Sequence, residues 1–147
     1  MYAIKVVGPT TFLFVKEWGY SLAKRPDAPA KAFAIAAARV ADERHCTDIL
    51  VLDLRGKSPA TDYFVIATGT SDRQMRTVAD EISHLAGQYD LHRFGRAGYK
   101  QARWILLDFI DVVIHIFDKP YRDYYDLELL WGDAKHLEWQ KPAKKKK

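Results

Sequence analysis

The sequence predicts a single α/β domain in which a mixed β-sheet is covered by helices. The chain has 147 residues and a mass of 16.9 kDa, which suits one compact domain. Its 48% hydrophobic and 29% charged residues are typical of globular proteins and argue against wholesale disorder. Helix-like and strand-like segments follow one another in the order α-β-β-α-β-β-β-α, in which the third strand is weak, and such mixing is typical of α/β domains.

The first part of the domain is predicted to contain a helix and two strands. Between residues 30 and 44, apolar side chains recur at helical spacing through an alanine-rich stretch, and alanine has the highest helix propensity. Residues 49–54 form a short apolar run that is typical of a buried strand, and a turn with glycine and proline follows. Residues 63–68 are rich in β-branched and aromatic side chains, which predicts the second strand.

A second helix is predicted to begin after a turn of small residues. Ser71 stands at its N-cap and Gln74 follows three residues later, which predicts a capping box. A one-sided apolar stripe continues this helix to about Gly87. Residues 91–94 then predict a weak edge strand, and residues 95–98 a loop.

The last part of the domain is predicted to form a β-hairpin followed by a helix. Residues 104–109 and 112–117 are both strongly apolar, and only Ile110 and Asp111 separate them, which predicts a tight turn. Residues 121–130 are predicted to continue as one helix.

The two ends of the chain differ from the domain between them. Residues 1–29 contain three prolines and no lasting periodicity, so we expect an N-terminal extension, followed by the domain over 30–140 and a lysine-rich tail over 141–147. The chain has no apolar run of about 20 residues and its start lacks the features of a signal peptide, so we expect a cytoplasmic protein without a membrane partner. Cys46 is the only cysteine, which excludes an internal disulfide and a zinc site built from cysteines.

The formal net charge of +4 is unevenly distributed. Residues 1–40 carry a net +4 and residues 141–147 a net +5, whereas residues 41–140 hold 12 basic and 17 acidic side chains, a net −5. The acidic body suits a basic partner, and the lysine tail would add only a weak, salt-sensitive attraction to RNA. Direct RNA binding stays open as an alternative because four basic residues gather near the central loop, at Arg93, Arg96, Lys100 and Arg103.

Another alternative is an enzyme built around the turn after the second strand. A strand that leads through Gly69 and Ser71 into a helix N-terminus can bind phosphate through backbone N–H groups. Asp108 and Asp111 would then hold magnesium, as carboxylates do in nucleotidyltransferase-like domains. A purely structural interpretation is simpler, because Ser71 caps the helix and aspartate is common beside hairpin turns. His115 has no second histidine at ligand spacing to join Asp108, Asp111 and Asp118 in a metal site, so we expect no metal and no cofactor.

Large aromatic side chains crowd into the last hairpin and helix and favour a protein-binding surface. Tyrosine and tryptophan beside aspartate and arginine are the composition of interface hot spots. We expect Leu127 and Tyr124 to pack into the core and the cluster as a whole to contact a partner. The cluster comprises Trp104, Phe117, Tyr121, Tyr124, Tyr125 and Trp131.

Several spaced motifs resemble the ribosomal silencing factor family, also called RsfS or Iojap. They follow the order of the family over about residues 32–137, as DILVLDLRG (48–56), TDYFVIATGTSDRQ (61–74), ARWILLDF (102–109), DVVIHIF (111–117), RDYYDLE (122–128) and LWGDA (130–134). The resemblance implies a nucleotidyltransferase-like topology without a known transferase activity. It also implies binding to a large-subunit ribosomal protein, the conserved one numbered fourteen, which sterically blocks association with the small subunit and represses translation.

The resemblance also implies which residues face the ribosome. Trp104, in the motif ARWILLDF, and Tyr125, in the motif RDYYDLE, stand at ribosome-facing positions of the family. From their positions in the chain we add four residues to the predicted site, Phe117, Asp118, Lys119 and Leu129. Many family members have glycine where this chain has Ile110, so the type of the hairpin turn does not follow from the resemblance. The oligomeric state is left open, including a homodimer through an exposed sheet face or edge.

Overall fold

A computed structural model describes residues 27–142 of the chain. Four α-helices and six strands lie in this range, and a 3-10 helix (Ala86–Tyr89) prolongs the second α-helix. In chain order the elements are α1 (Asp27–Glu43), β1 (Thr47–Asp53), β2 (Tyr63–Thr68), α2 (Asp72–Leu85), β3 (Gly95–Ala97), β4 (Trp104–Asp108), β5 (Val112–Phe117), α3 (Lys119–Tyr125), α4 (Leu127–Leu130) and β6 (Lys135–His136). None of these helices is long and apolar enough to cross a membrane.

The six strands form one mixed sheet in the order β3-β4-β5-β2-β1-β6. The two central strands, β2 and β5, are parallel, and every other neighbouring pair is antiparallel. The predicted fold class, a single α/β domain with a mixed sheet and helices, is therefore confirmed. The predicted extension over 1–29 and tail over 141–147 lie mostly outside the described residues, and α1 begins at Asp27, three residues before the predicted start.

Helices α1 and α2 both pack on one face of the sheet, which we call the covered face. Side chains alternate along each strand, so every second residue of β1, β2, β4 and β5 points under these helices. Phe33 of α1 is fully buried there, with its ring edge-on to Phe109 at a centroid distance of 4.9 Å. The buried strand residues of this face are mostly aliphatic, and they include Val51, Val65, Ile105, Leu107, Val112, Ile114 and Ile116.

The N-terminus of α2 is capped almost as the sequence predicts. The Ser71 hydroxyl accepts a hydrogen bond from the backbone N–H of Gln74 at 3.1 Å. The Gln74 side chain turns back as in a capping box, but its Oε1 accepts from the N–H of Thr70 at 2.6 Å rather than from that of Ser71. The turn therefore satisfies its own backbone donors, which bears on the phosphate-binding alternative below.

The predicted edge strand over residues 91–94 is wrong, as is the predicted loop that follows it. Strand β3 lies at Gly95–Ala97 and pairs with β4, with Gly95 opposite Asp108. Asp90 adopts a left-handed φ of 59°, which ends the 3-10 helix and redirects the chain. The position of an edge strand depends on the register of its neighbour, and local propensity does not contain that register.

The hairpin between β4 and β5 is confirmed, and its turn is strained. Ile110 has a φ of 73°, and the N–H of Asp111 donates to the carbonyl of Phe109 two residues earlier, which defines a γ-turn. A β-branched residue disfavours this conformation. Two bonds help to hold it: Asp108 Oδ1 accepts from the N–H of Ile110 at 2.8 Å, and the Asp111 carbonyl accepts from the N–H of Tyr63.

Candidate protein-binding surface

The second face of the sheet carries a smaller core and is rich in aromatic side chains. We call it the aromatic face and define it by Phe64, Trp104, His115 and Phe117, which lie on three adjacent strands. Neither α1 nor α2 reaches this face, and its cover comes from the segment after α3, through side chains such as Trp131. Phe64 and Trp104 stay half-buried, so this face is only partly shielded.

Trp104 lies at the centre of the predicted site. It stands directly opposite Phe117 in the β4–β5 ladder, and the two rings stack with centroids 4.8 Å apart. The ring of Tyr125 contacts the same indole, also at 4.8 Å. The indole Nε1–H donates to Nδ1 of His115 at 3.1 Å. The structure thus brings together three residues that the sequence predicts for the site, from β4, β5 and α3.

Phe117 needs a correction as a partner-facing residue. Its side chain is only 1% exposed because Trp104 stacks on it, so it supports the indole from below and forms no surface. Its role in the site is indirect, through the position of Trp104.

Asp118 and Lys119 form the start of α3. Asp118 is the N-cap, and its Oδ1 accepts from the N–H of Tyr121 at 2.9 Å. Lys119 pairs with Asp123 one turn later, with Nζ and Oδ1 2.5 Å apart. Both predicted site residues therefore have local structural roles, because they stabilise the first turns of α3.

The single helix predicted over residues 121–130 is wrong, because the chain breaks at Asp126. This residue has a φ of 44°, caps α3 by donating its N–H to the carbonyl of Arg122, and separates α3 from α4. Aspartate tolerates the left-handed conformation better than most residues. After the break, Leu129 and Leu130 in α4 are 78% and 70% exposed.

Arg122 ties both short helices to the sheet, and sequence reasoning missed it. Its guanidinium is buried and donates to Glu128 Oε1 at 2.8 Å, to Thr68 Oγ1 at 2.7 Å and to the carbonyl of Asp48. One side chain thereby joins α3, α4, β1 and β2. The available signal was an arginine in a tyrosine-rich helix with a glutamate six residues later, but spacing alone does not show burial.

Exposed large apolar side chains concentrate on α3 and α4. We call this group the tyrosine–leucine ridge, and it consists of Tyr121, Tyr124, Tyr125, Leu129 and Leu130. Within residues 27–142 the only other large hydrophobic side chain that is similarly exposed is Phe94. The expectation that Tyr124 packs into the core is wrong, since it is 81% exposed, whereas Leu127 does pack against the aromatic face. Tyr125 contacts Trp104, so the ridge and the aromatic face form one continuous surface.

The segment that carries the ridge has an excess of acidic residues, although Lys57 and Arg103 from outside it pair with two of them, Asp133 and Asp118. Residues 118–133 carry five acidic and two basic side chains, a net charge of −3. Both basic side chains in this segment are engaged, Lys119 with Asp123 and Arg122 with Glu128. An apolar ridge on a segment with an excess of acidic residues is suited to a protein partner that presents apolar groups beside basic ones.

The enzyme constellation of Ser71, Asp108 and Asp111 does not form. Ser71 follows the end of β2 beside Phe117, whereas Asp108 pairs opposite Val113 near the start of β5. Val113 and Phe117 are four residues apart in β5, so the Asp108 end and the Ser71 end of this strand lie about 13 Å apart, at about 3.3 Å per residue. Asp108 and Asp111 are part of the hairpin turn, so their carboxylates cannot join the Ser71 turn in one site.

The turn at Gly69 and Ser71 does line a cleft of about 690 Å³, at the carboxyl ends of β2 and β5. Three N–H groups here, those of residues 70, 73 and 74, already donate to side chains of the same segment. The cleft wall also mixes charges, with Arg103 and Asp118 3.5 Å apart. These features favour the structural interpretation of the turn over a phosphate cradle.

His115 is enclosed rather than poised for a metal. It is 4% exposed, and burial lowers the pKa of its imidazole to about 3. Its Nδ1 is occupied by the Trp104 indole, and Asp108, Asp111 and Asp118 do not gather around it. Over residues 27–142 no group of three or more His, Cys, Asp or Glu side chains is arranged to hold a metal ion.

Two of the four basic residues of the RNA alternative, Arg96 and Arg103, have acidic partners. Arg96 pairs with Asp80 at 3.7 Å and stacks over the ring of Tyr99 at 3.9 Å. Arg103 is the partner of Asp118 described above. The acidic neighbours offset part of the positive charge that RNA binding would need.

Comparisons with known proteins identify the family of the chain. The model of the family described as "Ribosomal silencing factor during starvation" matches residues 27–147. The chain is 43% identical over 104 residues to the ribosomal silencing factor RsfS of Bacillus subtilis, which covers 71% of this chain and 88% of that protein. It is 35% identical over 112 residues to the chloroplastic protein Iojap of Zea mays, which covers 76% of this chain and 49% of that protein.

Solved structures show the same fold. A crystal structure of a Chromobacterium violaceum protein superposes with a TM-score of 0.66 at 29% identity, covering 77% of this chain and 89% of that one. A Bacillus halodurans protein superposes with a TM-score of 0.61 at 34% identity, covering 74% and 96%. The chain therefore belongs to the ribosomal silencing factor family, as its motifs predict.

Proposed function

We propose that this protein binds the large ribosomal subunit through the conserved ribosomal protein numbered fourteen and blocks association with the small subunit, thereby repressing translation in the cytoplasm. The observation that carries the proposal is the tyrosine–leucine ridge beside Trp104, since exposed large apolar side chains concentrate there within residues 27–142. Membership in the ribosomal silencing factor family supports a ribosomal partner.

Trp104 and Tyr125 are the proposed anchors of the interface. Their rings contact each other at 4.8 Å and are both part-exposed, so a partner can cover them together. Tryptophan and tyrosine that are buried on binding dominate the energy of many interfaces, at about 2 kcal/mol or more each. Tyr124, whose ring contacts that of Tyr125 at 5.0 Å, and Leu129 add exposed apolar area to the proposed interface.

Charge supports a basic partner. Residues 118–133 have a net charge of −3, and the whole body over residues 41–140 has a net charge of −5. Ribosomal proteins are typically basic, so the two surfaces would attract each other and orient the encounter. The lysine tail would contribute a weak contact with nearby ribosomal RNA, and we expect its deletion to lower the salt dependence of binding.

Repression by occlusion requires no chemistry from the protein. A folded body of this size is about 30 Å across, so a copy seated on the joining face occupies the space that the small subunit needs. The separation of Ser71 from Asp108 and Asp111 supports a non-enzymatic mechanism. Incubation with labelled nucleoside triphosphates and magnesium should transfer no label.

Subunit sedimentation tests the proposal. Trp104→Ala and Tyr125→Ala should each weaken co-sedimentation with large subunits about 30-fold, because about 2 kcal/mol of anchor energy is lost. Both variants should also allow small subunits to join at concentrations where the parent chain blocks joining. Phe94→Ala is the matched control, since it removes an exposed aromatic ring near β3 and should change neither result. The proposed surface is wrong if both variants bind and block like the parent.

A further inference from the structure

We propose that His115 is a positioning residue that holds the Trp104 indole in its binding orientation through the acceptor at Nδ1. The inference rests on the proposed function only in taking Trp104 as an anchor. The observation behind it is the 3.1 Å bond from the indole Nε1–H to His115 Nδ1, between side chains on the same face of adjacent strands.

The bond fixes the chemistry of the imidazole. Because Nδ1 accepts a hydrogen bond, it carries no proton, and the neutral ring must carry its proton on Nε2. Burial disfavours the charged imidazolium and lowers the pKa of His115 to about 3. The acceptor at Nδ1 is therefore present throughout the neutral pH range in which a partner would bind.

The acceptor is also held in place. His115 is 4% exposed, its ring lies edge-to-face with Phe64 at a centroid distance of 4.5 Å, and it lies nearly parallel to Phe117 at 6.2 Å. The Trp104 indole stacks on Phe117 and contacts Tyr125, and within the described residues its only hydrogen bond is the one to His115. Ring stacking leaves an aromatic ring some freedom to turn in its own plane, whereas a fixed hydrogen-bond acceptor is suited to selecting one orientation of the indole before binding.

Packing alone does not account for the histidine. Its Nε2 is buried and has no hydrogen-bond partner within the described residues, which lowers stability. An apolar side chain would fill this aromatic pocket without that loss. The only hydrogen bond of the His115 ring within the described residues is the one to Trp104, so the polar role of this histidine is to hold that half-buried indole.

The test compares His115→Phe with the parent chain in two measurements. The phenyl ring keeps the aromatic packing and removes both nitrogens, so the unfolding midpoint should stay the same or rise. The affinity for purified large ribosomal subunits should fall about three- to ten-fold, the range expected for one hydrogen bond. In a ¹⁵N spectrum, the indole Nε1–H signal of Trp104, assigned by its loss in Trp104→Phe, should shift and exchange faster with solvent.

Two further variants separate positioning from general damage. In His115→Asn the amide oxygen can replace Nδ1 as acceptor, so the protected indole signal should return in part. In a Trp104→Phe background, adding His115→Phe should cost no more affinity, because the N–H that the histidine orients is already gone.

The outcomes distinguish this inference from the proposed function. If His115→Phe leaves the indole signal and the affinity unchanged while Trp104→Ala still weakens binding about 30-fold, the positioning role is wrong and the proposed surface stands. If Trp104→Ala binds normally, the inference is overturned, and if Tyr125→Ala also binds and blocks normally, the proposed surface is overturned with it. An equal affinity loss from His115→Phe with and without the Trp104 indole would also contradict the inference, since the histidine would then act independently.

Discussion

The two faces of the sheet differ in what covers them and in what their side chains are made of. The covered face is mostly aliphatic and lies under α1 and α2, with Phe33 and Ile114 fully buried. The aromatic face has Trp104 and Phe64 only half-buried, and short segments after β5 cover part of it. The same strands build both faces, because side chains alternate along each strand.

The difference predicts that the covered face mainly stabilises the fold and that the aromatic face mainly binds a partner. Aliphatic burial under two long helices supplies stability through the hydrophobic effect. Half-buried aromatic rings contribute less to folding but can still lose surface to a partner, which suits them to binding. Changes on the covered face should therefore affect folding first, and changes on the aromatic face or the ridge should affect binding first.

The largest expected effect is on the covered face. Phe33→Ala removes a fully buried ring that contacts Phe109 and Tyr89, so the free energy of unfolding should fall by about 3–5 kcal/mol. Denaturant titration measures this loss. The fraction that remains folded should bind large subunits with the affinity of the parent chain. A lower affinity of this folded fraction would contradict the prediction that the covered face affects folding and not binding.

His115 on the aromatic face should make the stability of the fold sensitive to acid. The pKa of His115 is lowered from 6.5 to about 3 in the folded protein, so the unfolded chain takes up a proton first as the pH falls. This histidine should therefore destabilise the fold between about pH 6.5 and 3, by about 1.4 kcal/mol per pH unit. Unfolding curves measured across this range should show that the free energy of unfolding depends less steeply on pH in His115→Phe than in the parent chain. Equal slopes for the two proteins would contradict the burial of a neutral imidazole.

The ridge should matter for binding and little for folding. Leu129→Ser removes a side chain that is 78% exposed, so the unfolding midpoint should change little. Affinity for large subunits should fall about five-fold, or about 1 kcal/mol, because the leucine would lose its burial against the partner. Phe94→Ser, at an exposed position outside the ridge, is the matched control and should bind normally.

The smallest expected effect is a gain at the hairpin turn. Ile110→Gly relieves a positive φ of 73° but loses a half-buried side chain, so the net gain in stability should be about 0.5–1 kcal/mol. Binding should not change, because the turn lies at the end of the strands away from Trp104. A loss of stability on this substitution would show that the isoleucine side chain outweighs the strain.

Much of the fold follows from local sequence signals. Residues 63–68 and the Ser71 cap are recognisable because strand composition and capping chemistry act within a few residues. Strand β6 is two residues long and exists through its pairing with β1, so no local pattern marks it. The break at Asp126 depends on one left-handed residue, which the surrounding helical pattern hides.

The candidate site is predictable in composition but less so in geometry. The aromatic cluster and the family motifs indicate Trp104 and Tyr125, and the structure places their rings in contact. The burial of Phe117 and the exposure of Tyr124 depend on how α3 leaves the sheet, and Arg122 controls that direction through contacts more than fifty residues apart in sequence. Such long-range contacts have no signature in local spacing.

Photo-crosslinking tests the central claim most directly, because it reports which side of the protein faces the ribosome. A photoreactive phenylalanine would replace Tyr124 on the ridge in one variant and His84, an exposed residue of α2, in the other. With large ribosomal subunits, position 124 should crosslink to the ribosomal protein numbered fourteen and position 84 should give no crosslink to it. Crosslinking to that protein from position 84, with none from position 124, would contradict the assignment of binding to the aromatic face and its ridge.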